Sequence, residues 1–240
     1  MFLLTNQYLN TVNSSGKSVA YCATVSNGVD SEFAQSIFST ISEIKNISDV
    51  IASAVDSFEN VIVLKDKSAD IPEEYFSTQE KFNKYAQDAY GFVSKDDSAI
   101  VIVQDNHMRK DVELEGDLYS QGADTIAHEI GHLVDDELST TNAFKQAYLA
   151  DLKAIEQMLQ TPDAEIFGKN LREMIFYLKH YVEGVNFEDG ISEDDIVRAG
   201  LRENFAECFS TLVDSNPSKI NQIFSTLFCN TMAQTASLIV

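Results

Sequence analysis

Tryptophan is absent from the 240 residues, and proline, glycine and cysteine are sparse, with three Pro, ten Gly and three Cys. The prolines Pro72, Pro162 and Pro217 and the scattered glycines build no Pro/Gly/Ser linker, and no repeat recurs at a solenoid period. Cys22, Cys208 and Cys229 are odd in number, far apart and free of any CxxC pair, which excludes a disulfide framework and leaves ordinary half-buried thiols. Basic residues are also scarce: 17 Lys+Arg face 38 Asp+Glu, a formal net charge of -21. Such a surface repels phosphate backbones and anionic lipid, so neither nucleic acid nor a membrane surface is an expected partner. No apolar run approaches the roughly 20 residues that span a bilayer. The opening Met1-Phe2-Leu3-Leu4-Thr5-Asn6-Gln7 lacks a basic leader, a long apolar stretch and a small-residue cleavage site. The expectation is a soluble protein without a standard signal peptide, cytoplasmic or exported into another cell by a non-standard route.

What the chain does contain is enough to fold. Hydrophobic residues make up 44% and aromatics 10%, sufficient for a sizeable core and incompatible with general disorder. The pattern predicts an α+β fold in which a small N-terminal mixed sheet with helices is followed by a helical C-terminal half. β-Branched runs mark strands at Ser18–Val25, 61–64 and Ala99–Val103, and a helical period covers 31–58. A polar amphipathic stretch lies at 79–90, and from residue 118 the period is helical throughout. Helices are predicted from Thr141 or Asn142 to Gln160 and from Pro162-Asp163 to Glu183. Ser192 with Asp195 resembles a capping box, and Asn216-Pro217 puts proline at a first helical position. Residues 1–58 are read as a strand and helix region continuous with a catalytic domain over 59–240, which carries a helical insertion at about 141–190.

At the start of the helical half stands His128-Glu129-Ile130-Gly131-His132. On a helix, histidines four apart lie one turn above each other, where both imidazoles reach one Zn2+ at about 2.0 to 2.1 Å. Glu129 falls one step round from His128, beside the metal and not on it, which is where a general base for hydrolysis belongs. With four histidines in the chain, this spacing rarely arises by chance. A catalytic zinc needs a third protein ligand. Six residues past His132, where an extended motif has a third histidine, stands Leu138. The ligand must therefore come from another helix, and Arg202-Glu203-Asn204-Phe205-Ala206-Glu207 has two glutamates four apart among apolar residues, leaving Glu203 and Glu207 both eligible. Asp135 and Asp136, three and four residues past His132, are placed to accept its second ring N–H. His107 is read as a bystander in a polar loop, and Cys208 as a packing residue without chemistry.

His128-Glu129-Ile130-Gly131-His132 with Val134-Asp135-Asp136, followed by Glu203-Asn204-Phe205-Ala206-Glu207, resembles the catalytic domain of the anthrax lethal factor-like metallopeptidases, a group that includes bacterial Pro-Pro endopeptidases. The match covers about a dozen positions. It implies a zincin-like domain with His128, His132 and Glu203 as zinc ligands, Glu129 as base and Glu207 hydrogen-bonding a ligand histidine. The family's oxyanion-stabilising tyrosine, seven residues before the ligand glutamate, corresponds here to Ile196, so that role is unassigned; the nearest candidates are Tyr181 and His180.

The expected activity is zinc-dependent hydrolysis of peptide bonds in a protein substrate, by an effector or toxin acting on a foreign protein. The substrate is expected to add a strand beside Ala99, Ile100, Val101, Ile102 and Val103, read as the sheet edge. The acidic surface favours basic residues near the cleaved bond. The alternative is a non-catalytic acidic binding or immunity-type protein with a structural or absent metal site.

Overall fold

Two apolar runs with no polar interruption, Val61-Ile62-Val63-Leu64 and Ala99-Ile100-Val101-Ile102-Val103, are buried residue by residue, as strands covered on both faces must be. They are the centre of a five-stranded mixed sheet in a computed structural model that describes residues 5–12, 18–66, 89–94, 98–107, 112–136, 138–160 and 198–239. The strands are β1 (Thr5–Val12), β2 (Ser18–Val25), β3 (Asn60–Leu64), β4 (Gly91–Val93) and β5 (Ala99–Val103), in the spatial order β1-β2-β3-β5-β4. The pairs β2/β3 and β3/β5 are parallel, whereas β1/β2 and β4/β5 are antiparallel. The described fold is mixed α+β and mostly helical. It divides into two compact units, Met1–Val134 and Asp135–Val240.

In the first unit, α1 (Ser31–Lys45) starts at Asp30, whose carboxylate accepts the N–H groups of Glu32 and Phe33. Its buried Phe33, Ala34, Ile37, Ile41 and Ile44 follow the three-and-four spacing of an amphipathic helix. The single helix expected over 31–58 is in fact two. Asn46 ends α1 with its N–H on the Glu43 carbonyl, the Ile47 N–H bonds the Ile44 carbonyl, and Ser48 opens α2 (Asp49–Val55) by accepting the Ile51 N–H. Asn and Ser near a helix end offer the backbone such local partners in place of a continued helix. Lys45 is buried at the break and pairs with Asp56 just past α2. β2, from the N-terminal region, pairs with β3 beyond residue 58, so the two stretches share one sheet.

Ala99–Val103 is not the sheet edge. β5 is paired on one side with β3 and on the other with β4, so its backbone groups are already in ladders. Among the described strands, the edges are β1 and the three-residue β4. After β5 come two single turns, α3 (Gln104–His107) and α4 (Val112–Glu115), then the long α5 (Leu118–Asp135). Asp117 starts α5 by accepting both the N–H and the hydroxyl of Ser120 at 2.9 Å.

The second unit is helical: a 3-10 turn (Leu138–Thr140), α6 (Asn142–Leu159), α7 (Arg198–Val213), α8 (Lys219–Leu227) and α9 (Cys229–Leu238). Thr141 caps α6 as expected. Pro217 does not occupy a first helical position, because Ser218 accepts the Asn221 N–H and caps α8 one residue later. Phe144, Tyr148, Phe205, Phe224 and Phe228 form the aromatic core, with Phe224 and Phe228 stacked at 4.7 Å. α9 has no side-chain cap of its own. Asp151 of α6, fully buried, supplies one: its carboxylate accepts the N–H and side-chain amide of Asn230 and the N–H and hydroxyl of Thr231. The expected helix at 163–183, the Ser192/Asp195 box, and Tyr181, His180 and Ile196 lie outside the described residues, as does most of the stretch at 79–90. Among the described residues, no helix is long and apolar enough to cross a membrane.

Candidate metal centre

α5 carries the motif on one continuous helix. Ile126, Ala127, Ile130 and Val134 are buried and hold it in place. His128 and His132, half-buried, stand one turn apart with ring centroids 4.8 Å from each other and planes at 87°. Glu129, one step round, is buried at 6% exposure, and it lies against the edge strand: a Cβ built on Gly91 would be 3.2 Å from its Oε1. A carboxylate this enclosed, beside two accessible imidazoles, is desolvated by the same packing that orients it.

The helix is tied to the sheet just before the motif. Thr125 shares a 2.9 Å hydrogen bond with Nε2 of His107, and Nδ1 of His107 lies 2.8 Å from the Val103 carbonyl. A carbonyl only accepts, so Nδ1 carries the proton, and in the neutral ring Nε2 accepts from the Thr125 hydroxyl. His107 is therefore a core histidine at 1% exposure on α3, not a loop bystander. Phe33 meets it edge-on at 5.3 Å.

The two aspartates after His132 do other work than expected. The Asp135 carboxylate accepts the N–H of Ser139 at 2.7 Å and its hydroxyl at 2.8 Å, with Arg202 Nε 3.5 Å away. These bonds close the 3-10 turn and take both carboxylate oxygens. Asp136 is exposed and has φ +28°, a left-handed residue that ends α5. Neither is seen to hold a histidine.

On α7, Glu203 is half-buried and Glu207 fully buried. Cys208 behind them is wholly enclosed; burial pushes its thiol well above the usual range, and its Sγ contacts Asn204 Oδ1 at 3.7 Å. It is a packing thiol, as read from the sequence. One ligand atom from each of His128, His132 and Glu203 lies within 4.8 Å of the others. Ligand atoms on a tetrahedral ion at about 2.0 to 2.2 Å are about 3.3 to 3.6 Å apart. Two imidazoles and a carboxylate suit zinc, and the donor set fits.

No protein-family model, curated protein or solved structure matches the chain. The site is read on its own chemistry. The roles of Gly91 and Thr125 escaped the sequence reading, as did the buried place of His107. The signal for Gly91 was a lone glycine just ahead of an apolar pair in a short run, and Thr125 and His107 gave none.

Proposed function

We propose that the chain is a zinc-dependent endopeptidase with a zincin-like catalytic domain, related to the lethal factor-like metallopeptidases that its motifs resemble. The observation that carries the reading is α5 itself, with two half-buried histidines on one face and an enclosed Glu129 one step round. Its alternative, a structural metal site, has no use for a buried carboxylate that is not a ligand.

His128, His132 and Glu203 would hold the ion, which supplies Lewis acidity, lowering the pKa of water and polarising a carbonyl. Glu129 takes a proton from the attacking water and delivers it to the leaving amine. Glu207 is assigned to orienting a ligand histidine. The substrate strand belongs at β4 and not at β5. The carbonyl of Tyr90 accepts the Val103 N–H and the N–H of Ser94 bonds the Ala99 carbonyl, so residues 90, 92 and 94 face β5. By alternation Gly91 and Val93 turn their N–H and C=O away from β5, where no other described strand pairs with them and an added strand would lie within reach of Glu129. A net charge of -21 favours substrates with basic residues around the bond, and a foreign protein is the proposed target of an effector or toxin.

The test is metal analysis with a cleavage assay. Purified protein should hold about one zinc per chain and cleave a peptide library, and His128→Ala and His132→Ala should each lose both properties. Metal-free wild type that remains metal-free after zinc addition would remove the proposal.

A further inference from the structure

Glycine at position 91 is not required by the backbone. Gly28 and Gly116 have φ +84°, a left-handed conformation that disfavours any side chain, but Gly91 is part of strand β4, where glycine is the weaker choice. Its reason is spatial. A Cβ there would meet Ile102 Cδ1 and Thr125 Cγ2, each at 2.8 Å, and Glu129 Oε1 at 3.2 Å. The first atom is the end of a flexible side chain and can turn away. Thr125 has less freedom, because turning its methyl group swings the hydroxyl off His107. Glu129 is buried between this strand and its own helix, so a methyl group against Oε1 moves the carboxylate sideways or lifts α5 from the sheet.

We propose that Gly91 is a positioning residue for Glu129: the missing side chain lets the carboxylate rest against the backbone of the edge strand, at the height where a bound substrate's peptide would lie. This rests on Glu129 being the base. It makes the glycine a requirement of the reaction geometry and not of β4. A shift of about 1 Å in such a group is enough to cost on the order of 100-fold in rate.

The experiment uses Gly91→Ala alone and in an Ile102→Val/Thr125→Ser background, which removes the two methyl groups at 2.8 Å and keeps Glu129 Oε1 at 3.2 Å. Zinc content, thermal unfolding, kcat and KM are measured for each, and the metal-free Gly91→Ala protein is crystallised. Gly91→Ala should keep its zinc and lose about 10- to 100-fold in kcat with KM nearly unchanged, the pattern of a group that acts in the transition state. In the trimmed background thermal stability should return while kcat stays low, and the crystal should show the Glu129 carboxylate displaced. Recovery of kcat together with stability would reduce Gly91 to a packing residue and overturn the proposal. So would an undisplaced carboxylate, or full activity in Gly91→Ala. A wild type with neither zinc nor cleavage would overturn the peptidase reading itself, and this assignment with it.

Discussion

Replacing Asp151 with alanine removes the carboxylate that α6 lends to the start of α9. Four N–H and O–H donors converge on it, Asn230 N–H at 3.1 Å, the Asn230 amide at 2.6 Å, Thr231 N–H at 2.8 Å and Thr231 hydroxyl at 2.7 Å, with the weaker Cys229 thiol at 3.9 Å. They do not all suffer alike. The Thr231 hydroxyl also reaches the Phe228 carbonyl at 3.0 Å, and Asn230 is exposed enough to turn its amide to water. The Thr231 N–H is buried and would be stranded, at about 1 to 3 kcal/mol. Loss of the cap on the remaining N–H adds about 0.5 to 2 kcal/mol. Allowing for the charge that no longer has to be buried, the net cost is about 2 to 4 kcal/mol, or roughly 4 to 16 °C in Tm for a chain of this length. Asp151→Asn is the sharper variant, because it keeps the shape but points an amide at one of the N–H groups; it should lose nearly as much. Urea and thermal unfolding followed by far-UV circular dichroism measure both, the absence of tryptophan leaving fluorescence to tyrosine. An alanine variant within about 0.5 kcal/mol of wild type would refute the cap.

Glu129→Gln should retain zinc and lose at least about 100-fold in turnover, and loss of the metal in that variant would make Glu129 a ligand and not a base. Glu203→Ala should abolish zinc binding and cleavage, whereas Glu207→Ala should weaken them by about 10- to 100-fold; the opposite ranking, read by metal titration, moves the third ligand one turn along α7. Asp117 is held below its ordinary value of 3.8 by the N–H and hydroxyl of Ser120. A depressed carboxyl contributes stability that is complete above about pH 4 and disappears as pH falls through the lower folded value. The stability gap between wild type and Asp117→Ala should therefore be flat near neutrality and close in acid, and a gap that widens on acidification would contradict this.

Strands β3 and β5 could be read directly because burial on both faces leaves a continuous apolar run. The break between α1 and α2 could not. Ile44 and Ile51 are seven residues apart and Val55 four further on, so the helical period runs unbroken through Asn46 and Ser48 although the helix does not. Strand pairing is decided between distant segments, and three residues of Gly-Phe-Val gave no strand signal; without β4, β5 looked like an edge. The motif on α5 was legible because its chemistry depends on spacing within one helix. Which glutamate of α7 comes nearer the two histidines was not, since Glu203 and Glu207 are four residues apart on one face. The partner of Asp135 was not legible for a different reason: the chain turns at Asp136, and the returning Ser139 bonds the carboxylate that the spacing alone offers to a histidine.

The contacts of Phe33 and His107 with α5 fix the rotational phase of that helix. Gly122 offers bare backbone to the Phe33 ring, where a Cβ would come within 2.5 Å of the ring, and Thr125, nearly one turn on, is bonded to His107. An amphipathic helix on a smooth apolar surface can slide like a screw, and each residue of slip turns it by about 100° and advances it about 1.5 Å. Keyed at two points, α5 has no such freedom. The bearing of His128 and His132 is thus set upstream of them, and a bulkier side chain at 122 would reach both rings as a twist transmitted along the helix without touching either.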